Sequence, residues 1–364
     1  MGKYKIFIVC AAATLLLPLC SCTGYTELEN MDILTSHFVC KIDDDILLGG
    51  GVANVRSLSD SMADNPVNYI GARAPTLPGA IQSLRTSADH TLFYGGMRAV
   101  VIGESYAREG CGEFFDYIST LPDCRSSVNV FTSSSDPRLI VGFKAVNDFS
   151  GGFAAESIVH TLGGEEMMTG CTLSDIWEAR AYRQVGFAVP DIEINDDVMS
   201  VSGYSIFNHD RKIGSLGAAK GTSLNYITGK SAKGSYNIAV SNESMYSVKT
   251  DMKKRYIDVY KYGGTLHADI SLLFDITVTP PKSGTAAEGS AEYIKSRTEE
   301  IISDEVNEIF AAAKQYGCDF LKLHKSYQRK NRSKFDTLDW QSIISDMAFS
   351  VQVSTDKVKI ISAR

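Results

Sequence analysis

The chain has 364 residues, of which 44% are hydrophobic and 22% are charged. These proportions are close to those of ordinary globular proteins, and the length indicates two or three packed units. The net charge of −7 leaves no basic excess for a phosphate backbone, so we expect no nucleic-acid partner.

The first residues are typical of a signal peptide. Lys3 and Lys5 form a short positive region, and residues 6–19 are almost wholly apolar. As a helix this run is about 21 Å long, too short for roughly 30 Å of hydrocarbon. We therefore predict that residues 1–21 are removed as an export signal.

The end of this signal favours a lipoprotein. A lipoprotein peptidase needs a small residue just before the acylated cysteine and an aliphatic one three residues before it. Ser21 and Leu19 satisfy both for Cys22, whereas Cys20 is preceded by the bulky Leu19. We predict a diacylglycerol anchor on Cys22, since two acyl chains hold a protein stably where one would not. The alternative is a plain secretory signal that happens to contain cysteines.

After Cys22 no apolar run is long enough to span a bilayer, so the mature body is expected outside the cytoplasm. Five cysteines follow, without metal-type spacing, and their redox state stays open. An exported chain often pairs some of them, Cys111 and Cys124 being nearest in sequence, but buried free thiols are also common. The five are Cys40, Cys111, Cys124, Cys171 and Cys318.

Residues 22–198 are predicted to be an N-terminal α+β domain with two subdomains, because short strands and helices alternate there. A helix is expected to begin at Thr172 or Ser174. The other predicted elements are a strand at Phe38–Ile42, a solvated turn at Asp43–Asp45, a loop at Gly49–Gly51, a buried strand at Ala99–Gly103, and helices at Glu104–Arg108 and Glu113–Ser119.

Residues 199–364 are predicted to be a second α+β domain, an antiparallel sheet with one long helix. Residues 202–217 indicate a hairpin, Leu272–Val278 alternates as a strand, and Ala291–Tyr316 carries an apolar stripe that Gly317 ends. A closing hairpin is expected, with its turn at Ser354–Lys357. The overall prediction is α+β with mixed sheets and packed helices.

No catalytic arrangement emerges from the sequence. The six histidines are scattered without zinc-type spacing, and Asp43–Asp45 lacks the spaced ligands of a calcium loop. We therefore predict no catalytic residue, metal or cofactor. One basic stretch could contact anionic headgroups or an acidic partner, or be a solvated loop. It comprises Lys322, Lys325, Arg329, Lys330, Arg332 and Lys334.

Three regions in order resemble the Ger(x)C (GerAC) family, the lipoprotein C subunits of nutrient germinant receptors in spore-forming bacteria. Cys22 precedes Glu27-Leu28, as an acylated cysteine precedes a Glu-Leu pair in the family. The segment 98–110 is similar to an apolar strand followed by Gly-Glu and Ala-Lys/Arg-x-Gly. The C-terminal part is similar in order through Gly203–Phe207, Gly317–Phe320 and Leu338–Trp340.

The chain also departs from the family pattern. It has Thr23-Gly24 where the family usually has Trp-Asp, and Ala219–Leu224 keeps only the basic-Gly pair of a Glu-x-Arg-Gly and aromatic cluster. If that cluster helps to hold a neighbouring subunit, this chain holds it differently or has a diverged partner.

The resemblance implies a fold of three α+β subdomains, no reaction and no cofactor. It implies a lipoprotein on the outer face of the spore inner membrane, beside an A subunit and a multi-span B subunit. The rival hypothesis is a solute-binding lipoprotein of a transporter, which usually has two similar lobes around a cleft. A third, a cell-envelope hydrolase, would need an arrangement of nucleophile and base that the sequence does not indicate.

Overall fold

The structure is a computed structural model that describes residues 30–53, 67–144, 150–164, 170–182, 185–241, 244–281, 290–335 and 338–361. Within them ten strands form one sheet and four form a second. The first sheet contains β1 (Met31–Ile42), β2 (Asp45–Ala53), β3 (Val67–Ala74), β4 (Thr91–Phe93), β5 (Ala99–Gly103), β6 (Asn129–Ser133), β7 (Cys171–Thr172), β8 (Gly186–Asn195), β9 (Val198–Asn208) and β10 (Arg211–Gly217).

The centre of this sheet is parallel and its flanks are antiparallel. The main path runs β10-β9-β8-β6-β5-β1-β2-β3, with β4 beside β1 and β7 beside β6. Strands β1, β5, β6 and β8 point the same way, while β2–β3 and β9–β10 are hairpins. The mixed sheet and packed helices confirm the α+β class.

Helices cover both faces of the first sheet. One face packs against α1 (Leu77–Ser87), α2 (Glu104–Glu109), α3 (Gly112–Ser119) and α6 (Leu173–Ala181), and the other against α4 (Pro137–Val141) and α5 (Gly151–Gly164). In β5, Val100 and Ile102 enter the first core, and Ala99 and Val101 the second. Because both faces are covered, β5 is a continuous apolar run and not an alternating one.

The second sheet contains β11 (Lys233–Ser241), β12 (Ser244–Tyr262), β13 (Thr265–Thr279) and β14 (Ala348–Ile360), in that order. It packs against α7 (Gly221–Thr228), α8 (Ser290–Tyr316) and α10 (Trp340–Asp346), with α9 (His324–Phe335) over the end of β12. The predicted long helix is confirmed: Ile294, Ile302, Val306 and Ile309 face the core at helical spacing. None of the helices described is both long and apolar enough to cross a membrane.

The expected loop at Gly49–Gly51 is wrong, because these residues lie within β2. A Cβ at Gly49 would come within 2.4 Å of the Ile70 carbonyl oxygen, and one at Gly50 within 2.3 Å of the Ser36 oxygen. The glycines therefore permit close approach between neighbouring strands.

The expected C-terminal hairpin is also wrong. Residues 348–360 form the single strand β14, which runs parallel to β13, so the second sheet is antiparallel only across its first three strands. The register skips one residue between Thr355 and Lys357, at Asp356. The polar segment is thus a bulge in an edge strand, and the three helices between β13 and β14 provide the crossover that parallel pairing requires.

Other expectations can be placed directly. The turn at Asp43–Asp45 joins β1 to β2, with Arg73 paired to Asp43 and Asp45. Thr172, not Ser174, caps α6. The first sheet continues through the expected boundary at residues 198 and 199 to Gly217, and the division into domains stays a prediction.

All five described cysteines are free thiols, so the structure does not pair Cys111 with Cys124. Burial raises the pKa of Cys40 to about 11 and that of Cys171 to about 12. Thiols with such raised values carry almost no thiolate near neutral pH and are poor nucleophiles.

His37 is buried within the first sheet and should make folding pH-dependent. Its Nδ1–H donates to the Gly49 oxygen at 2.7 Å, and burial lowers its pKa from 6.5 to about 4. Between pH 6.5 and 4 the unfolded chain therefore takes up a proton that the folded chain does not. We expect the free energy of unfolding to fall by about 3 kcal/mol as the pH is lowered through this window.

Urea unfolding of the wild type and of His37→Gln at several pH values measures this contribution. The variant should have a smaller slope of stability against pH across the window, whatever its stability at neutral pH. His90→Gln, at an exposed position, should keep the wild-type slope. Equal slopes for wild type and His37→Gln would contradict the assignment.

Candidate docking site

The predicted anchor residue, Cys22, lies outside the described residues, but the strand that follows it can be placed. Strand β1 begins at Met31 and runs parallel to β5 and β6, so its first residue lies at the amino end of the parallel strands. Met31 lies nine positions after Cys22, and nine residue steps span at most about 30 Å even when the chain is fully extended. An anchor at Cys22 would therefore keep this end of the sheet close to a bilayer.

Helix α6 lies at the same end of the sheet. Strand β7, just before it, pairs with the first two residues of β6 through Thr172 and Cys171. The Thr172 hydroxyl and the Asp175 carboxylate cap the helix reciprocally, each accepting from the other residue's backbone N–H. This capping box fixes the position of Asp175.

Asp175 connects the first sheet to the C-terminal part of the chain through two lysines. The Nζ of Lys230 lies 3.2 Å from one carboxylate oxygen and the Nζ of Lys322 lies 3.1 Å from the other. Burial alone would raise the pKa of Asp175, but the two lysine charges hold it well below its usual range. Glu178, one turn later, pairs with Lys322 and Lys325. The network holds the basic stretch against α6.

Beside this network is a cleft of about 420 Å³. It lies along the half of β12 that β11 does not pair with, between the end of α7 and α9. Ser326 of α9 donates to the Ile257 carbonyl there, at 2.9 Å. The cleft is lined by Ile227, Thr228, Arg255, Tyr256, Ile257, Asp258, Leu321, Lys322, Lys325, Ser326, Arg329 and Lys330.

The charges of this cleft are unbalanced. Five lining residues are basic and Asp258 is the acid among them, where it pairs with Lys330. Arg255 donates to the Ile227 carbonyl and lies over Gly229, whose φ of +74° ends α7. Partial burial, and then the charge of Arg329, lower the pKa of Arg255. An anion between these guanidiniums would reduce their repulsion.

A fully buried carboxylate shapes the loop that carries Lys322. Asp319 accepts from the backbone N–H groups of Leu323 and His324, from His324 Nδ1 at 3.0 Å, and from Trp340 Nε1 at 2.9 Å. Burial would raise the pKa of Asp319, but these hydrogen bonds and the neighbouring imidazole lower it. Lys322 itself has a φ of +62°. Asp319 therefore holds a strained loop in place.

The Gly-Glu segment that resembles the family has a structural explanation. Glu104 begins α2 directly after β5 and accepts from Lys212 Nζ at 3.0 Å and from Arg108. The side chain of Lys212 is only 2% exposed. Bonding to Lys212 lowers the pKa of Glu104, whereas burial raises that of Asp191 nearby. This cluster joins α2 to β10 in the interior of the fold.

Chemistry other than docking has little support in the part of the chain that the structure describes. No three His, Cys, Asp or Glu side chains there converge as metal ligands. The carboxylates of Glu104, Asp175 and Asp319 bond to lysine, imidazole, indole or backbone donors. The side chain of Lys334 lies outside the described residues. The arrangement is suited to binding anions and protein surfaces.

Sequence reasoning found part of this cleft. The basic stretch supplies Lys322, Lys325, Arg329 and Lys330, which the sequence analysis singled out as a contact for anionic headgroups or an acidic partner. The alternative of a solvated loop is wrong, because residues 324–335 form α9. Arg255 was missed because it comes from a strand about 70 residues earlier. A signal was present in the alternation of Tyr256, Tyr260 and Tyr262 beside it, since aromatic side chains on one exposed strand face are unusual.

Comparisons with known proteins agree with this fold over nearly its whole length. A family model described as "Spore germination protein N-terminal domain" matches residues 24–194, and one described as "Spore germination B3/ GerAC like, C-terminal" matches residues 202–361. A solved structure titled "Crystal Structure of the GerBC protein" has a similar fold, with a TM-score of 0.58 and 12% sequence identity, over 89% of this chain and 96% of that one. The search of curated proteins gave no match.

Proposed function

Because the chain belongs to the GerAC family of spore germination proteins, we propose that it is the lipid-anchored C subunit of a nutrient germinant receptor. In this proposal it is required for germination in response to small nutrients. It catalyses no reaction and acts by contact with an A subunit and a multi-span B subunit. The observation that carries the proposal is the match of both family models, in order, to the two halves of the chain.

The proposed anchor is a diacylglycerol on Cys22, on the outer face of the spore inner membrane. Its support is the sequence Leu19-Cys20-Ser21-Cys22 after an apolar run of signal-peptide length. The position of β1 is consistent with such a tether, since its first residue lies at the end of a sheet. Confinement to a surface raises the effective concentration of the protein near integral partners.

The proposed role without catalysis rests on how the buried polar groups are used. Asp319 and Glu104 are occupied by structural partners, and the buried thiols have raised pKa values. Such groups build a rigid body, which suits a subunit that contributes surface to a complex.

Affinity capture of the tagged protein from detergent-solubilised spore membranes tests this proposal. We expect integral membrane proteins of the A and B subunit classes to co-purify in constant proportion. The same tag on an unrelated spore lipoprotein is the control. Capture of a permease and an ATPase would contradict the proposal and favour the solute-binding hypothesis.

A further inference from the structure

We propose that the basic cleft and the tyrosine face beside it form a docking surface for the anionic headgroups of the membrane to which the protein is anchored. The cleft is the one between β12 and α9 described above. The tyrosine face is the exposed row Tyr256, Tyr260 and Tyr262 on β12. The inference deepens the proposed function and rests on it, because the anchor brings this surface to the bilayer.

The first argument is charge. The chain as a whole carries a net charge of −7, so an anionic membrane repels most of the protein. Attraction must therefore come from a local basic patch, which would also orient the protein on the membrane. Within the cleft Arg255 and Arg329 have no ion pair with a described residue, whereas Lys330, Lys322 and Lys325 each have an acidic partner. The two guanidiniums offer planar donors that match a phosphate.

The second argument is the row of exposed aromatic side chains. Residues 256, 260 and 262 lie on the same strand face, and their side chains are 58%, 37% and 72% exposed. Tyrosine is enriched at membrane interfaces because its ring is apolar and its hydroxyl is polar. A tyrosine row combined with basic side chains is the pattern of a lipid interface, and an acidic protein segment is the alternative that the experiment below tests.

The tip of the hairpin leaves this row open. Tyr262 is followed by Gly263 and Gly264, both with positive φ, which form the turn between β12 and β13. A Cβ at either glycine would meet no atom within 4 Å. The ring of Tyr260 stacks on His267, which fixes its orientation. The tyrosine row thus extends about 20 Å along β12, on the strand face opposite Arg255, and meets the cleft at the edge of β12 that β11 does not pair with.

The third argument is position. Lys322 and Lys325 of the cleft bind α6 through Asp175 and Glu178. Helix α6 lies at the amino end of the parallel strands, the end at which β1 begins. Three strand spacings separate β1 from β7, about 15 Å. A lipid on Cys22 would therefore hold the cleft and the tether at the same side of the molecule.

Vesicle binding tests the inference without the anchor. The chain from residue 22, with Cys22→Ser to prevent acylation, contains every residue that the structure describes. We expect it to bind phosphatidylglycerol-containing vesicles, not vesicles of phosphatidylcholine alone, with affinity that falls as salt rises. The R255Q/R329Q variant loses two positive charges, and its partition coefficient onto these vesicles should fall about tenfold or more. Tyr262→Ser should weaken binding further.

The matched control is K357Q/K359Q, which removes two exposed charges from β14, away from the cleft. It should bind as the wild type does, and circular dichroism should show all variants folded. Equal loss in both double variants, or no binding of the wild type to anionic vesicles, would overturn the inference. So would an R255Q/R329Q protein that binds vesicles normally but no longer captures integral partners, which would make the cleft a protein site.

These outcomes are separable from those of the proposed function. Vesicle binding uses unacylated protein and needs no receptor, so it can succeed even if affinity capture finds no A or B subunit. Conversely, if the protein co-purifies with A and B subunits but does not bind anionic vesicles, the proposed function stands and only this inference is wrong.

Discussion

Replacing Cys22 with alanine is expected to move the protein from the spore membrane fraction to the soluble fraction and to abolish most of the nutrient response. The reason is that the two acyl chains supply nearly all of the membrane affinity, at about 0.8 kcal/mol for each buried methylene group. The cleft contributes only about 1 kcal/mol per charge and cannot replace them. Fractionation and a germination assay on the same spores measure both effects.

The control for this substitution is Cys20→Ala. Leu19 disfavours cleavage before Cys20, so that variant should remain in the membrane and germinate normally. Retention of the Cys22→Ala protein in membranes at the wild-type level would contradict the anchor. Release of the Cys20→Ala protein would instead indicate that Cys20, and not Cys22, carries the lipid.

Replacing Asp319 with alanine is expected to cost about 3–5 kcal/mol of folding free energy. The substitution leaves four donors without their acceptor inside a fully buried site: two backbone N–H groups, the His324 imidazole and the Trp340 indole. Such a loss is a large fraction of the stability of an ordinary domain. Urea unfolding monitored by tryptophan fluorescence measures it, since Trp340 reports on the site.

Asp304→Ala is the matched control, because Asp304 lies exposed on α8. Its free energy of unfolding should differ from the wild type by less than about 0.5 kcal/mol. If Asp319→Ala unfolded at the same urea concentration as Asp304→Ala, the central role of this carboxylate would be wrong.

The elements that the sequence predicted well are those with strong local periodicity. The stripe of α8, the buried run of β5 and the hairpin of β9 and β10 depend on residues close in sequence. Helix ends were also readable, since Gly110 and Gly317 have positive φ after α2 and α8. Periodicity and capping are local properties, so they can be identified directly from the sequence.

The errors arose where distant segments decide the structure. The composition of Gly49–Gly51 is typical of a loop. These residues nevertheless form a strand, because the neighbouring strands approach them closely at Ser36 and Ile70. The polar residues 354–357 have the composition of a turn, and pairing with β13 across three intervening helices makes them a bulge. Composition alone does not report such pairings.

The candidate site was predictable to the same extent. Its basic stretch is continuous in sequence and was found, whereas Arg255 and the tyrosine row depend on where β12 lies relative to α9. The acids that neutralise part of the stretch, Asp175 and Glu178, come from a helix about 150 residues earlier. Only the folded chain brings these charges together.

Mass spectrometry of the N-terminal peptide from spore membranes tests the central claim most directly. A lipid-anchored receptor subunit predicts a mature chain that begins at Cys22 and carries a diacylglycerol on its sulfur. An unmodified N-terminus on a freely soluble protein would contradict the account.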